Sequence, residues 1–262
     1  MIDKARRIIR KYVEYIITKI RILWEQKIFR YEDVTVKYIL KKKKTADTLV
    51  IVFSACTRKG LKARYNYVKT LNNLDCNRLY ILDDYAKDCR GSYYMGRDFR
   101  FNEEVAVTEL IKKVIAEFAP GKTVFCGSSK GGYAALNFGM KFDNSHMVVG
   151  GPQYFLTDYL KQGNEFTLEH IVGESTPEKE QKLNVYLREK IQGNDKKATQ
   201  RVYLHYSNKE HTYGEHIKDM LTDLKNCDYN VIEDVADYAN HSDISYYFPD
   251  FLRKQIAEII AL

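Results

Sequence analysis

No two cysteines of this 262-residue sequence stand at C-x-x-C spacing, and the five present (Cys56, Cys76, Cys89, Cys126, Cys227) are odd in number and widely scattered. That pattern offers neither a disulfide framework nor a zinc site and suits a reducing compartment. There are 4 prolines, one tryptophan and no apolar run long enough to span a bilayer. The first residues are punctuated by charge and lack an apolar signal core with a small-residue cleavage site, so the expected location is cytoplasmic. Neither an internal repeat nor a low-complexity tract is present, and 13% aromatic residues exclude a disordered or fibrous chain.

What the sequence has in excess is positive charge, a formal +7, and its distribution decides its meaning. Between Asp3 and Trp24 stand Lys4, Arg6, Arg7, Arg10, Lys11, Lys19 and Arg21 against only Asp3 and Glu14. The remainder is nearly balanced, so a nucleic-acid groove across the domain is not indicated. The same segment spaces Ile9, Val13, Ile16, Ile17, Ile20 and Trp24 at helical intervals. Residues 1–26 are therefore expected to form a basic amphipathic helix, which either packs on the domain edge or makes peripheral contact with the inner face of a membrane.

From Ile28 to Leu40 the pattern alternates as in an antiparallel entry strand, and Lys41 to Lys44 read as a solvated turn. Strand and helix patterns then succeed one another. Strands are expected at 48–53, 78–82, 123–126, 146–149, 201–206 and 229–232, and helices at 61–74, 103–118, 131–141, 214–224 and 246–260. Such alternation predicts one α/β domain over 27–262, with a mostly parallel central sheet and helices on both faces. The rhythm breaks after Gly151, where helical patterns at 155–161 and 178–191 predict a small helical cap inserted at about 152–200.

Chemistry concentrates at Gly127-Ser128-Ser129-Lys130-Gly131-Gly132, which follows an apolar strand and precedes a helix-forming run. This is a G-x-S-x-G nucleophile elbow, whose glycines allow close backbone approach while the central serine is lifted clear of the sheet. A serine hydroxyl needs a base, and of six histidines His241 alone sits in the loop between the last strand and the last helix. The acid that would orient it is Glu210, after the penultimate strand, with Asp234 and Asp237 as competitors. The oxyanion hole is expected from the N–H of Lys130 and one from Ser54 to Gly60, where Cys56 or its neighbours are the candidates. Substrate contacts are expected from Arg58 in that loop, Tyr93 and Tyr94 in the long polar loop 83–100, and Tyr154 in the cap. No metal or cofactor is expected. His205, His211 and His216 are scattered by strand faces and a loop, and Gly121-Lys122-Thr123 lacks the upstream glycines of a P-loop.

Phe53 to Gly60, Arg64-Tyr65-Asn66-Tyr67, Leu82-Asp83-Asp84, Gly127 to Ala135 and Gly151-Pro152-Gln153-Tyr154 together resemble the α/β-hydrolase-like proteins of bacterial surface-glycan loci. That group includes capsular polysaccharide biosynthesis proteins of the XcbB/CpsF type and, more distantly, the hydrolase-like component of the accessory Sec system. The resemblance spans roughly Val50 to Leu252. It implies an acyl-directed enzyme acting on a cell-surface glycan or its precursor. With water as acceptor, Ser129 chemistry on an ester or thioester gives an esterase; with a sugar hydroxyl it gives an O-acyltransferase. The rival expectation is a non-catalytic scaffold of a glycan-assembly complex.

Overall fold

The computed structural model describes residues 20 and 22–262. One eight-stranded sheet runs through it in the order β1-β2-β4-β3-β5-β6-β7-β8. The strands are Gln26–Tyr31 (β1), Val34–Lys41 (β2), Thr48–Phe53 (β3), Asn77–Leu82 (β4), Lys122–Ser128 (β5), Ser145–Gly150 (β6), Arg201–Ser207 (β7) and Asn230–Ala236 (β8). From β4 across to β8 all pairings are parallel, whereas β2 is antiparallel to both β1 and β4.

The central strands carry apolar side chains on both faces. β3 is buried at every position; Ile51 and Phe53 join one apolar cluster, Val50 and Val52 the other. Period-two alternation makes this the mark of a sheet covered on two sides. Helices α1 (Asn102–Phe118) and α2 (Lys130–Gly139) pack on the first face, and α3 (Leu156–Leu160), α4 (Glu165–Val172), α5 (Pro177–Gln192) and α6 (Lys218–Asn226) extend the same cluster. The second face is covered by α7 (Ile244–Ala261), through Phe248, Leu252 and Ile256. Helices α3 to α5 fill the connection from β6 to β7. There Thr176 accepts from the Lys179 N–H and Pro177 occupies the first turn of α5, a start its sequence favours.

Two expectations change. Residues 28–40 form part of a hairpin rather than one strand, because Glu32 takes φ 50° and Tyr31 pairs with Val34. Residues 61–74 form turns rather than a helix. Tyr67 sits at φ 59°, and Arg78 Nη1 donates to the carbonyls of Leu71 and Asn72 at 2.7 and 2.9 Å. A buried side chain thus satisfies these carbonyls, while Tyr65 and Leu71 still pack under the sheet. Of the helix expected over 1–26, residues 1–19 and 21 lie outside the described residues. No helix among the described residues is long and apolar enough to cross a membrane.

Candidate active site

Ser129 stands between β5 and α2 at φ 52° and ψ −122°, a backbone conformation that costs a non-glycine residue energy and recurs at functional turns. A Cβ on Gly127 would collide with the Gly131 carbonyl, and one on Gly131 would lie 2.7 Å from the Phe53 carbonyl oxygen. The Ser129 N–H donates to the Gly150 carbonyl at 2.8 Å, which ties the bend to the end of β6.

His241 follows β8, and its Nε2 lies 3.0 Å from Ser129 Oγ. Its Nδ1 lies 2.9 Å from Glu210 Oε2, on the loop after β7, and that carboxylate is fully buried. The competing acids are engaged elsewhere: Asp234 with His205 Nδ1 and Asp237 with Lys209 Nζ, both at 2.6 Å. Gly151, at φ 43°, leaves the space this arrangement needs, since a Cβ there would stand 3.3 Å from His241 Cε1 and 2.8 Å from Ile244 Cδ1.

In the loop after β3, the Ser54 N–H donates to the Tyr94 hydroxyl at 2.7 Å and the Ala55 N–H to Asn66 Oδ1 at 3.0 Å. Cys56 is then the first residue of that loop whose N–H is taken up by no hydrogen bond among the described residues. The Lys130 N–H, in the first turn of α2, has no intrahelical acceptor. Arg90 steadies the loop from outside, with Nε on the Thr57 carbonyl at 2.9 Å and Nη2 on Cys56 Sγ at 3.2 Å. The Lys130 side chain turns inward instead. Its Nζ is buried 2.8 Å from Asp83 Oδ2 and 3.0 Å from the Arg90 carbonyl, and Asp83 also accepts the N–H groups of Ser92 and Tyr94.

The expected substrate residues separate. Tyr94 and Tyr154 are fully buried and offer no surface to a substrate: Tyr94 donates to the Ile81 carbonyl at 2.9 Å, and Tyr154 to Asp223 at 2.6 Å beneath Arg188. Loop 83–100 looks polar in sequence and Tyr154 reads as part of the cap, yet both rings point into the core. Tyr93 is buried as well, but its hydroxyl meets Gln153 Oε1 at 3.2 Å, and Gln153 Nε2 meets Ser129 Oγ at 3.0 Å. Arg58 is exposed on the Cys56 loop.

Sequence reasoning did not single out Tyr159, because a lone tyrosine in a helical pattern carries no spacing signal, and it weighed His216 only as a metal ligand. Tyr159, on α3, has its phenol raised by burial, with nearby Cys56 adding and Arg90 opposing. His216 is buried, and burial, with His211 and His241 adding, pushes it down to about 4. Its Nδ1 accepts the Phe155 N–H at 3.3 Å, a bond available only to the neutral ring. In the unfolded chain this ring takes up a proton below its ordinary 6.5, so stability falls as pH drops from 6.5 toward 4. Urea unfolding of the wild type is expected to lose about 2 kcal/mol between pH 7 and pH 5 on this account. His216→Gln should flatten that part of the slope; an unchanged slope would assign the loss to other groups.

No family model and no curated protein sequence matches the chain. Solved structures do. A capsule O-acetyltransferase of Neisseria meningitidis serogroup A superposes with a TM-score of 0.76 at 21% identity, covering 88% of this chain and 94% of that one. A further structure of that enzyme, a histidine-to-alanine variant, is a complex with CoA. The Glycosylation Associate Protein (Gap123) complex of Streptococcus agalactiae gives 0.75 at 16% identity, over 90% of this chain and 46% of that one. The fluorophosphonate-binding serine hydrolase F of Staphylococcus aureus gives 0.65 at 13% identity, over 90% and 97%. With the sheet order above, these likenesses identify the fold as that of the α/β-hydrolases.

Proposed function

We propose that this protein is a serine-dependent acyl enzyme that moves an acyl group from an ester or thioester donor to a hydroxyl of a bacterial surface glycan or its precursor. The observation that carries this reading is the unbroken run from Glu210 through His241 to Ser129, at 2.9 and 3.0 Å. In it, Ser129 Oγ attacks the acyl carbonyl while His241 Nε2 takes its proton, and Glu210 holds the tautomer that leaves Nε2 free to do so. The N–H groups of Lys130 and Cys56 stabilise the tetrahedral oxyanion, and the donor's leaving group departs with the proton from His241. An acceptor hydroxyl then repeats the sequence in reverse on the acyl-serine.

The likeness to a capsule O-acetyltransferase favours a glycan hydroxyl over water as acceptor, and the complex of that enzyme with CoA supports a CoA-type thioester as donor. Arg58, with Lys59, Lys62 and Arg64 and no acid between Cys56 and Arg64, suits an anionic substrate. A second reading, a non-catalytic scaffold of a glycan-assembly complex, is favoured by the likeness to the Gap123 complex.

The test is acyl turnover from p-nitrophenyl acetate and from acetyl-CoA, with and without capsule-type oligosaccharides, alongside fluorophosphonate labelling. Turnover that rises with oligosaccharide, yielding an acetylated product, is expected. A rate indifferent to acceptor would move the reading to an esterase, and absence of Ser129-dependent labelling would move it to the scaffold.

A further inference from the structure

Ser129 Oγ is met from two sides, by His241 Nε2 at 3.0 Å and by Gln153 Nε2 at 3.0 Å. Counting protons fixes the direction of every bond in this run. In the proposed mechanism Glu210 is the acceptor, so His241 Nδ1 carries the ring proton and Nε2 accepts from the serine hydroxyl. That uses the only proton Ser129 has to give. The bond to Gln153 must then run the other way, with the amide N–H donating to Oγ. The amide oxygen faces Tyr93, whose hydroxyl donates to it at 3.2 Å. Gln153 and Tyr93 are both buried, so water does not compete for either group.

We infer that Gln153 is a catalytic residue whose amide N–H stabilises negative charge on Ser129 Oγ when Oγ is the leaving group, and that Tyr93 positions it. The inference rests on the serine chemistry proposed above. In the second half-reaction the acceptor oxygen bonds to the acyl carbon and its proton passes to His241 Nε2. The bond from the acyl carbon to Oγ then breaks, its electron pair stays on Oγ, and Oγ takes the proton from His241. In the acyl-enzyme Oγ is an ester oxygen and a poor acceptor, so the Gln153 bond is weak in the ground state and gains strength as that bond breaks. In the first half-reaction the bond already exists in the resting hydroxyl and stabilises both states. Only an interaction stronger in the transition state accelerates a step, so Gln153 acts on release of the acyl group rather than on its capture.

Stopped-flow hydrolysis of p-nitrophenyl acetate separates the two halves in one experiment. Gln153→Met keeps the length of the side chain and removes the donor. Its burst, which reports acylation, is expected to stay within about threefold of wild type, while the steady-state rate falls about 10- to 100-fold. Intact-mass analysis should then show acetyl-enzyme accumulating on Ser129. Tyr93→Phe leaves the amide in place but unanchored and should show the same split at about 3- to 10-fold; it also guards against a folding defect peculiar to the methionine variant. Burst and steady state falling together, or neither changing, would overturn the role of Gln153 while leaving the serine chemistry intact. A wild-type protein that is never acylated at Ser129 would remove both.

Discussion

Ser129→Ala is expected to lower acyl turnover by a factor on the order of 10⁶ while leaving the thermal melt unchanged. The magnitude follows from how the three groups act. Ser129, His241 and Glu210 are joined by two contacts of 3.0 and 2.9 Å, and in the proposed reaction none acts without the others. His241→Ala should cost about as much, and the double variant little more than either alone, because groups working as a unit do not add. Glu210→Gln preserves shape but lets its amide donate toward Nδ1, favouring the wrong tautomer, and is expected to cost about 10⁴-fold. The measurement is steady-state hydrolysis of p-nitrophenyl acetate with a circular-dichroism melt beside it. Residual Ser129→Ala turnover within tenfold of wild type would show that the hydroxyl does not react.

Asp83→Asn is expected to destabilise the fold by about 3–5 kcal/mol, a fall in melting temperature of about 10 °C. The side chains of Lys130 and Asp83 are almost wholly sealed from solvent, so removing one charge strands the other in the interior. Asp83 also holds the N–H groups of Ser92 and Tyr94, and a Cβ on Gly91 would collide with Lys130 Nζ. The pair thus fastens loop 83–101 to the nucleophile turn. Asp83→Asn combined with Lys130→Met should recover most of the loss, since replacing both members by neutral groups removes the stranded charge. Chemical denaturation of the two variants checks this, and a double variant as unstable as the single one would shift the cause to the lost backbone acceptors.

The parts of the site that were legible are those written in local patterns. The turn around Ser129 needs glycines at Gly127 and Gly131 because neighbouring carbonyls pass too close for a Cβ, and that demand is visible as spacing. His241 and Glu210 stand out because a loop after a given strand has a definite place in a parallel sheet. What was not legible depends on partners distant in the chain. Tyr94 reads as a loop residue and Tyr154 as a cap residue open to substrate, yet their burial goes with Ser54 and Ile81 in one case and Asp223 in the other. For Lys130 only the backbone N–H was legible; Asp83, 47 residues upstream, helps draw its side chain inside. Residues 61–74 have helical spacing of apolar groups, but Arg78 and the left-handed Tyr67 override that local preference. Gln153 had no spacing to betray it, since its partners Tyr93 and Ser129 lie 60 and 24 positions away.

The proposed nucleophile and its proposed base are not equally well moored. Ser129 leaves β5, flanked by β3 and β6, whereas His241 leaves β8, which among the described residues has a neighbour on one side alone. Fraying begins at such a border, where the fewest bonds hold the backbone. Gentle heating or low urea will therefore carry the imidazole off station while the middle of the sheet is still intact, and catalytic competence will decay ahead of any spectroscopic sign of melting.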